Sequence, residues 1–267
     1  MKRQLIACLL LIGPALAWAA GPDMDSIRLD RHDQASQQRG AQLYMNYCMG
    51  CHSLEYSRYQ RVAEDLGIPE DLFTEHLILD PEIRIGELMT NNMSREDAKI
   101  WFGAAPPDLT LVARSRGETW LYNYLRGFYR DASRPWGVNN SVFPDVGMPH
   151  VLAELQGVQR CAPGAARGAD GKVRRDPLTG EAVLYDDEGQ PLNPCGSFEL
   201  ETEGSMKPAE FDEAMYDLVN FMAYVAEPAR LDRQRLGVYV LLFLGVLFVF
   251  AWLLNREYWK DVPRNPS

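Results

Sequence analysis

The stretch from Leu236 to Leu254, LGVYVLLFLGVLFVFAWLL, runs for 19 residues without a charge. As a helix it rises about 28 Å, close to the thickness of a bilayer's hydrocarbon core. Inside hydrocarbon each backbone N–H and C=O must be satisfied within the segment, so a helix is the form a lone span takes. Tyr239, Trp252, Tyr258 and Trp259 lie towards its ends, and Arg233, Arg235, Arg256 and Lys260 flank it, as interface anchors do. Residues 231–254 are therefore predicted to form one C-terminal anchor in a lipid bilayer, followed by a short tail, 255–267. Flanking charge does not orient the anchor, because Arg230, Arg233 and Arg235 before it balance Arg256, Lys260 and Arg264 after it.

The other terminus supplies a direction. Residues 1–20, MKRQLIACLLLIGPALAWAA, combine a basic start, an apolar run broken by Gly13-Pro14 and a small-x-small ending at Ala17-Trp18-Ala19, which is the pattern of a cleaved secretory signal peptide. Export followed by one span places residues 21–230 outside, at the periplasmic face of a bacterial inner membrane, and the tail in the cytoplasm. Cleavage removes Cys8, leaving four of the five cysteines, and takes Lys2 and Arg3 from a chain already at a formal charge of −10. Acidity of this size argues against nucleic acid as a partner, since its phosphates would be repelled, and suits either a basic protein partner or plain solubility.

Between the termini, residues 33–47, 118–129 and 208–226 carry apolar positions at near-helical spacing. No strand–helix alternation of the doubly wound kind is present, so a mostly α domain is expected. One stretch departs from this. From Cys161 to Cys195 the chain is dense in Gly, Pro and Asp-Gly turns, with residues 182–185 its only β-like run. In an oxidising compartment two cysteines bounding such a loop are expected to form a disulfide.

The remaining cysteines sit in Asn46-Tyr-Cys-Met-Gly-Cys-His-Ser53. Cys-x-x-Cys-His is the attachment pattern of haem c. Cys48 and Cys51, a helical turn apart, suit thioether bonds to the two vinyl groups on one porphyrin edge, and His52 follows as an axial ligand to iron. A thioredoxin-like dithiol would need a βαβ unit and has no use for His52. A zinc site would need a second ligand pair, and His32, His76 and His150 are scattered.

The sixth iron position separates an electron carrier from a gas-binding site, because a thioether ligand raises the potential and closes the iron. Met215 and Met222 lie on helical stretches and suit packing, while Met89 and Met93 fall in a helix-to-loop region. Met148, in FPDVGMPH, sits where Gly147 and Pro149 preclude regular helix. Met206, in GSMKP, has a similar setting, and His150 is a nitrogen candidate.

Longer motifs add a resemblance. Arg39-Gly40, Tyr44 and Cys48-x-x-Cys51-His52-Ser53, then Ala105-Pro106-Pro107-Asp108-Leu109, Arg114-Ser115-Arg116 and Tyr124-Leu125-x-Gly127 resemble the cytochrome c1 family. So do Ala226-Glu227-Pro228, Arg235-Leu236-Gly237 and Tyr258-Trp259-x-Asp261-Val262 around the span. The resemblance implies a class I-like c-type cytochrome domain with a disulfide-closed loop insertion (Cys161–Cys195) and one C-terminal transmembrane helix. It implies one haem c bound through Cys48 and Cys51, with His52 and Met148 as axial ligands. Pro106 and Pro107 would line the histidine side, and Arg116 would pair with a propionate. Trp120 stands where the family often has a tyrosine.

The function implied is that of a subunit which is not an enzyme on its own. It would pass single electrons from the Rieske iron-sulfur protein to a soluble or membrane-tethered c-type cytochrome, beside cytochrome b, in a ubiquinol:cytochrome c reductase. A haem subunit of an oxidase or nitric oxide reductase, or a haem-based sensor, are the alternatives.

Overall fold

The computed structural model describes residues 24–168, 172–186 and 188–261; the signal peptide reading falls outside them. Two compact units share the chain, one holding Gly127–Ser205 and the other Ile27–Arg126 together with the chain from Met206 onwards.

The core of the latter unit is a helix pair. Helix α1 (Gln34–Tyr47) starts where the Asp33 carboxylate accepts the Ser36 N–H, and it ends at the cysteine motif. Its partner is the long helix α8 (Pro208–Ala226), entered through a proline at its first turn with the Lys207 N–H donated to Glu210 at 2.9 Å. The two helices meet at Gly40, where a Cβ would run into the Asp217 carbonyl and the Phe221 Cβ. That absence lets Arg39 reach the buried Asp217 carboxylate bidentately, at 2.5 and 2.9 Å. Asn220 donates to Ser36 Oγ at 3.0 Å and to the Asp30 carbonyl at 2.9 Å, and Tyr44 packs on Phe221.

Between these helices the unit contains β1 (Leu54–Arg58), α2 (Tyr59–Asp65), α3 (Glu70–Leu77), β2 (Leu88–Met89), α4 (Arg95–Phe102), α5 (Val112–Ser115) and α6 (Glu118–Arg126), with α5 and α6 packed on α8. Strands β1 and β2 pair antiparallel. Helix α9 (Arg230–Tyr258) contributes nothing to this core. It has no buried residue over 29 residues, and it is long and apolar enough to cross a membrane.

The other unit is built on two small antiparallel pairs, β3 (Phe128–Arg130) with β4 (Val138–Asn140), and β5 (Gly157–Ala162) with β6 (Ser197–Glu203), plus a single turn of helix, α7 (Ala153–Gln156). Gly157 has φ +86°, and a Cβ there would strike the Thr202 carbonyl, so glycine is what lets β5 begin so close to its partner. Cys161 and Cys195 are joined as a disulfide at the base of the excursion. Among the described residues inside it the chain makes isolated bridges, Arg167 with Val173, Arg175 with Ala182 and Tyr185 with Pro191, and Leu178 at its tip is 94% exposed.

The mostly α fold with a disulfide-closed loop and one C-terminal apolar helix is as expected. Two local readings change. The helix expected over 118–129 ends at Arg126, because Gly127 breaks it and Phe128 enters a strand paired with Asn140. The β-like run at 182–185 contributes single bridges, and the true strands lie outside the loop, at its two roots.

Candidate functional site

The cysteine motif begins where α1 stops. Cys48 caps the helix with its N–H on the Tyr44 carbonyl, and the Cys51 and His52 N–H groups both return to the Cys48 carbonyl, at 3.0 and 2.8 Å. The motif thus forms one further turn, closed by i→i−3 and i→i−4 hydrogen bonds, past the end of α1. Both thiols are free. Burial pushes Cys48 up to about 12 and raises Cys51 as well, so neither is held as a thiolate.

His52 is oriented by a residue 55 positions away. Its Nδ1 lies 2.7 Å from the Pro107 carbonyl, an acceptor only, so Nδ1 carries the proton and donates it. The second ring nitrogen, Nε2, is then the one with a lone pair for a metal. Burial is the larger influence on the ring and lowers its pKa, keeping the imidazole neutral as ligation requires. The backbone is held too, since the Tyr44 hydroxyl donates to the His52 carbonyl at 2.7 Å.

The proline segment is stitched to the motif along its length. Leu109 N–H donates to the Ser53 carbonyl at 3.0 Å, and the Asp108 carboxylate accepts the Glu55 N–H at 2.7 Å and the Thr110 N–H at 2.9 Å. Ser53 Oγ accepts the Asn91 N–H at 3.0 Å. Two thiols on one turn, a neutral imidazole with Nε2 open and a proline wall behind it fit a covalently attached haem c.

Arg116, Trp120 and Tyr124 form a separate stack. The Arg116 guanidinium lies 5.3 Å from the Trp120 ring centre, and Trp120 lies flat on Tyr124, at 5.0 Å and 9°. Trp120, which the resemblance puts in place of a tyrosine, thus packs on a tyrosine one turn later on the same helix. Burial pushes Tyr124 up to about 12, so it stays a donor. The spacing of four residues on a helix was the signal that could have paired these rings beforehand.

Met148 belongs to the other unit, in the loop after β4. Asn140, fully buried, accepts the Val142 and Phe143 N–H groups at 2.9 and 3.1 Å, and Asn139 accepts the Asp145 N–H at 2.8 Å. An Asn-Asn pair ahead of Phe-Pro is a turn signal that sequence reasoning passed over. His150, the nitrogen candidate, lies flat on Phe128 at 4.8 Å with both ring nitrogens buried and without hydrogen bonds of ordinary geometry, although the Gly157 backbone and Gln156 side chain are near. Burial brings its pKa down to about 4, so it packs as a neutral ring. Met206 precedes α8 in the helical unit, while Met89 is fully buried in β2.

A family model described as "Cytochrome C1 family" matches residues 24–160 and 201–262, passing over the disulfide-closed excursion. The chain is 45% identical to cytochrome c1 of Allochromatium vinosum, over 98% of this chain and 100% of that one. It is 38% identical to a protein of Nitrosomonas europaea named ammonia monooxygenase gamma subunit, over 98% of each, and 28% identical to cytochrome c1 of Rhodospirillum rubrum, again over 98% of each. On this evidence the chain belongs to the cytochrome c1 family, whose members carry one covalently attached haem c.

Proposed function

We propose that this protein is the haem subunit of a cytochrome bc1 complex, taking single electrons from the Rieske iron-sulfur protein and passing them to a c-type cytochrome in the periplasm, beside cytochrome b. Cys48 and Cys51 would hold the haem, His52 and Met148 would ligate its iron, and Arg116 would pair with a propionate. When bound, the haem supplies a one-electron iron couple. The protein's own work is to hold that couple rigid and to tune it.

The observation that carries the reading is the His52–Pro107 contact. Fixing the Nδ1 proton on a backbone acceptor aims Nε2 and holds the ring through a change of iron charge, which keeps reorganisation small. A thioether ligand from Met148 would raise the potential and exclude small ligands. Helix α9 would anchor the protein with residues 21–230 outside and the tail inside, the direction set by the signal peptide reading of residues 1–20.

The test is a redox titration of the purified full-length holoprotein, followed through the haem bands and the weak red ferric band that reports sulfur ligation. A clearly positive potential with that band present is expected. A low potential without it, together with fast carbon monoxide binding to the reduced protein, would replace this reading with a haem-based sensor.

A further inference from the structure

We propose that His150, seated on the Phe128/Asn140 cross-strand pair, is a positioning residue that sets how firmly the Met148 sulfur is presented. The proposal rests on the reading of Met148 as an axial ligand and concerns only the unit that carries it.

The loop bearing Met148 is tied down on both sides, and both ties end on one pair of facing residues. Phe128 and Asn140 oppose each other in the β3–β4 ladder, and each is at most 1% exposed. On the way out, Asn140 accepts two loop N–H groups and the Ser141 N–H donates to the Gly127 carbonyl at 3.0 Å. On the way back, the His150 ring lies on the Phe128 face with an interplanar angle of 0°. Val146 and Leu152, either side of the Gly147-Met148-Pro149 tip, are buried.

A second clamp holds the middle. Asp145 stands at φ +62°, a conformation open to few residues other than glycine. Arg134 secures it by donating to its carboxylate and its carbonyl, at 2.8 Å each, and Asn139 bridges from its N–H to the Asp131 carboxylate, with Nδ2 to Oδ2 at 3.0 Å. Proline then fixes φ at the residue after the methionine.

A thioether–iron bond is weak, so the ligated fraction depends on how little freedom the loop loses on binding. The ring acts through its flat face on Phe128, with the Gly157 backbone and the Gln156 side chain beside its nitrogens. A phenylalanine would serve in its place and an alanine would not.

The experiment compares His150→Ala, His150→Phe and His150→Leu in the full-length holoprotein, reading the red ferric band, the midpoint potential and the rate of carbon monoxide binding to the reduced form. His150→Ala is expected to lose most of the band, lower the potential and bind carbon monoxide about tenfold faster, the scale of a lost ring stack. His150→Phe should keep all three near wild type and His150→Leu should fall between, which preserves the comparison if the alanine protein fails to fold. An alanine variant with a full band and unchanged carbon monoxide resistance would overturn the proposal. Equal loss in the alanine and phenylalanine variants would overturn it too, by showing that a ring nitrogen matters. Met148→Leu run alongside separates the two layers: a band that survives there defeats the ligand reading itself, whatever His150 does.

Discussion

Tyr44 joins the helix core to the haem motif through one atom. Its ring is fully buried against Phe221, at 5.8 Å between centres, and its hydroxyl donates to the His52 carbonyl at 2.7 Å. Tyr44→Phe removes that oxygen and leaves the ring packing alone. Losing one hydrogen bond costs about 1 kcal/mol, and a buried acceptor left unpaired costs about 1–3 kcal/mol. His52 is half-buried, so its carbonyl recovers part of the loss from water, and the expected destabilisation is about 1–2 kcal/mol. For a chain of this length that lowers the thermal midpoint by roughly 3–6 °C. Burial holds the Tyr44 pKa far above its ordinary value, so the hydroxyl is a donor throughout the working range and the deficit should be the same at pH 6 and pH 9. The assay is thermal unfolding of the full-length holoprotein in detergent, wild type and variant scanned at one rate, followed by haem absorbance and circular dichroism. A midpoint within about 1 °C of wild type would refute the reasoning, since it would mean that the contact does not survive in the holoprotein. A deficit that vanished at high pH would refute it on a different ground, because the phenol would then be ionising.

Other outcomes follow from the same geometry. Cys161→Ser opens a loop of 34 residues' separation and should cost about 3–4 kcal/mol on the chain-entropy account, read by denaturant unfolding, while the haem spectrum stays unchanged; haem loss would show that the excursion supports the site. Glu227 is held below its ordinary value first by the Arg233 hydrogen bond, at 2.7 Å. A depressed folded value means that its contribution is complete above the unfolded value near 4.5 and is lost as the pH falls through the lower folded one. Glu227→Gln should therefore flatten the acid limb of the stability curve and leave the limb above pH 6 parallel to wild type. With a formal charge of −10, reduction of a basic c-type acceptor should slow as ionic strength rises, and a rate indifferent to salt would exclude electrostatic steering.

The site was legible where its chemistry is local. Cys48, Cys51 and His52 are read at once because the two thioether positions and the axial imidazole must be close in sequence to reach one edge and one face of a macrocycle. Helices α1 and α8 are legible because their apolar positions recur every turn, and α9 because its apolar run is unbroken over the length of a membrane span. The three strand pairs were not, because strands of two to seven residues have no periodicity to detect and are defined by partners elsewhere in the chain. The acceptor for His52 was hidden in a stronger sense. Pro107 acts through its backbone carbonyl, which every residue possesses, so nothing in its side chain announces the role.

Sequence by itself determined what this protein can bind and where it must reside: a covalent haem motif, an oxidisable cysteine pair and a span too apolar for water all follow from composition over a few adjacent residues. Tertiary structure alone decided which imidazole nitrogen is free, that Gly40 lets Arg39 neutralise a buried Asp217, and that the two ends of the Met148 loop rest on a single pair of facing residues. The physical reason is that covalent attachment and hydrophobic transfer depend on residue type, whereas hydrogen bonds and ring contacts depend on distances set by chain segments far apart.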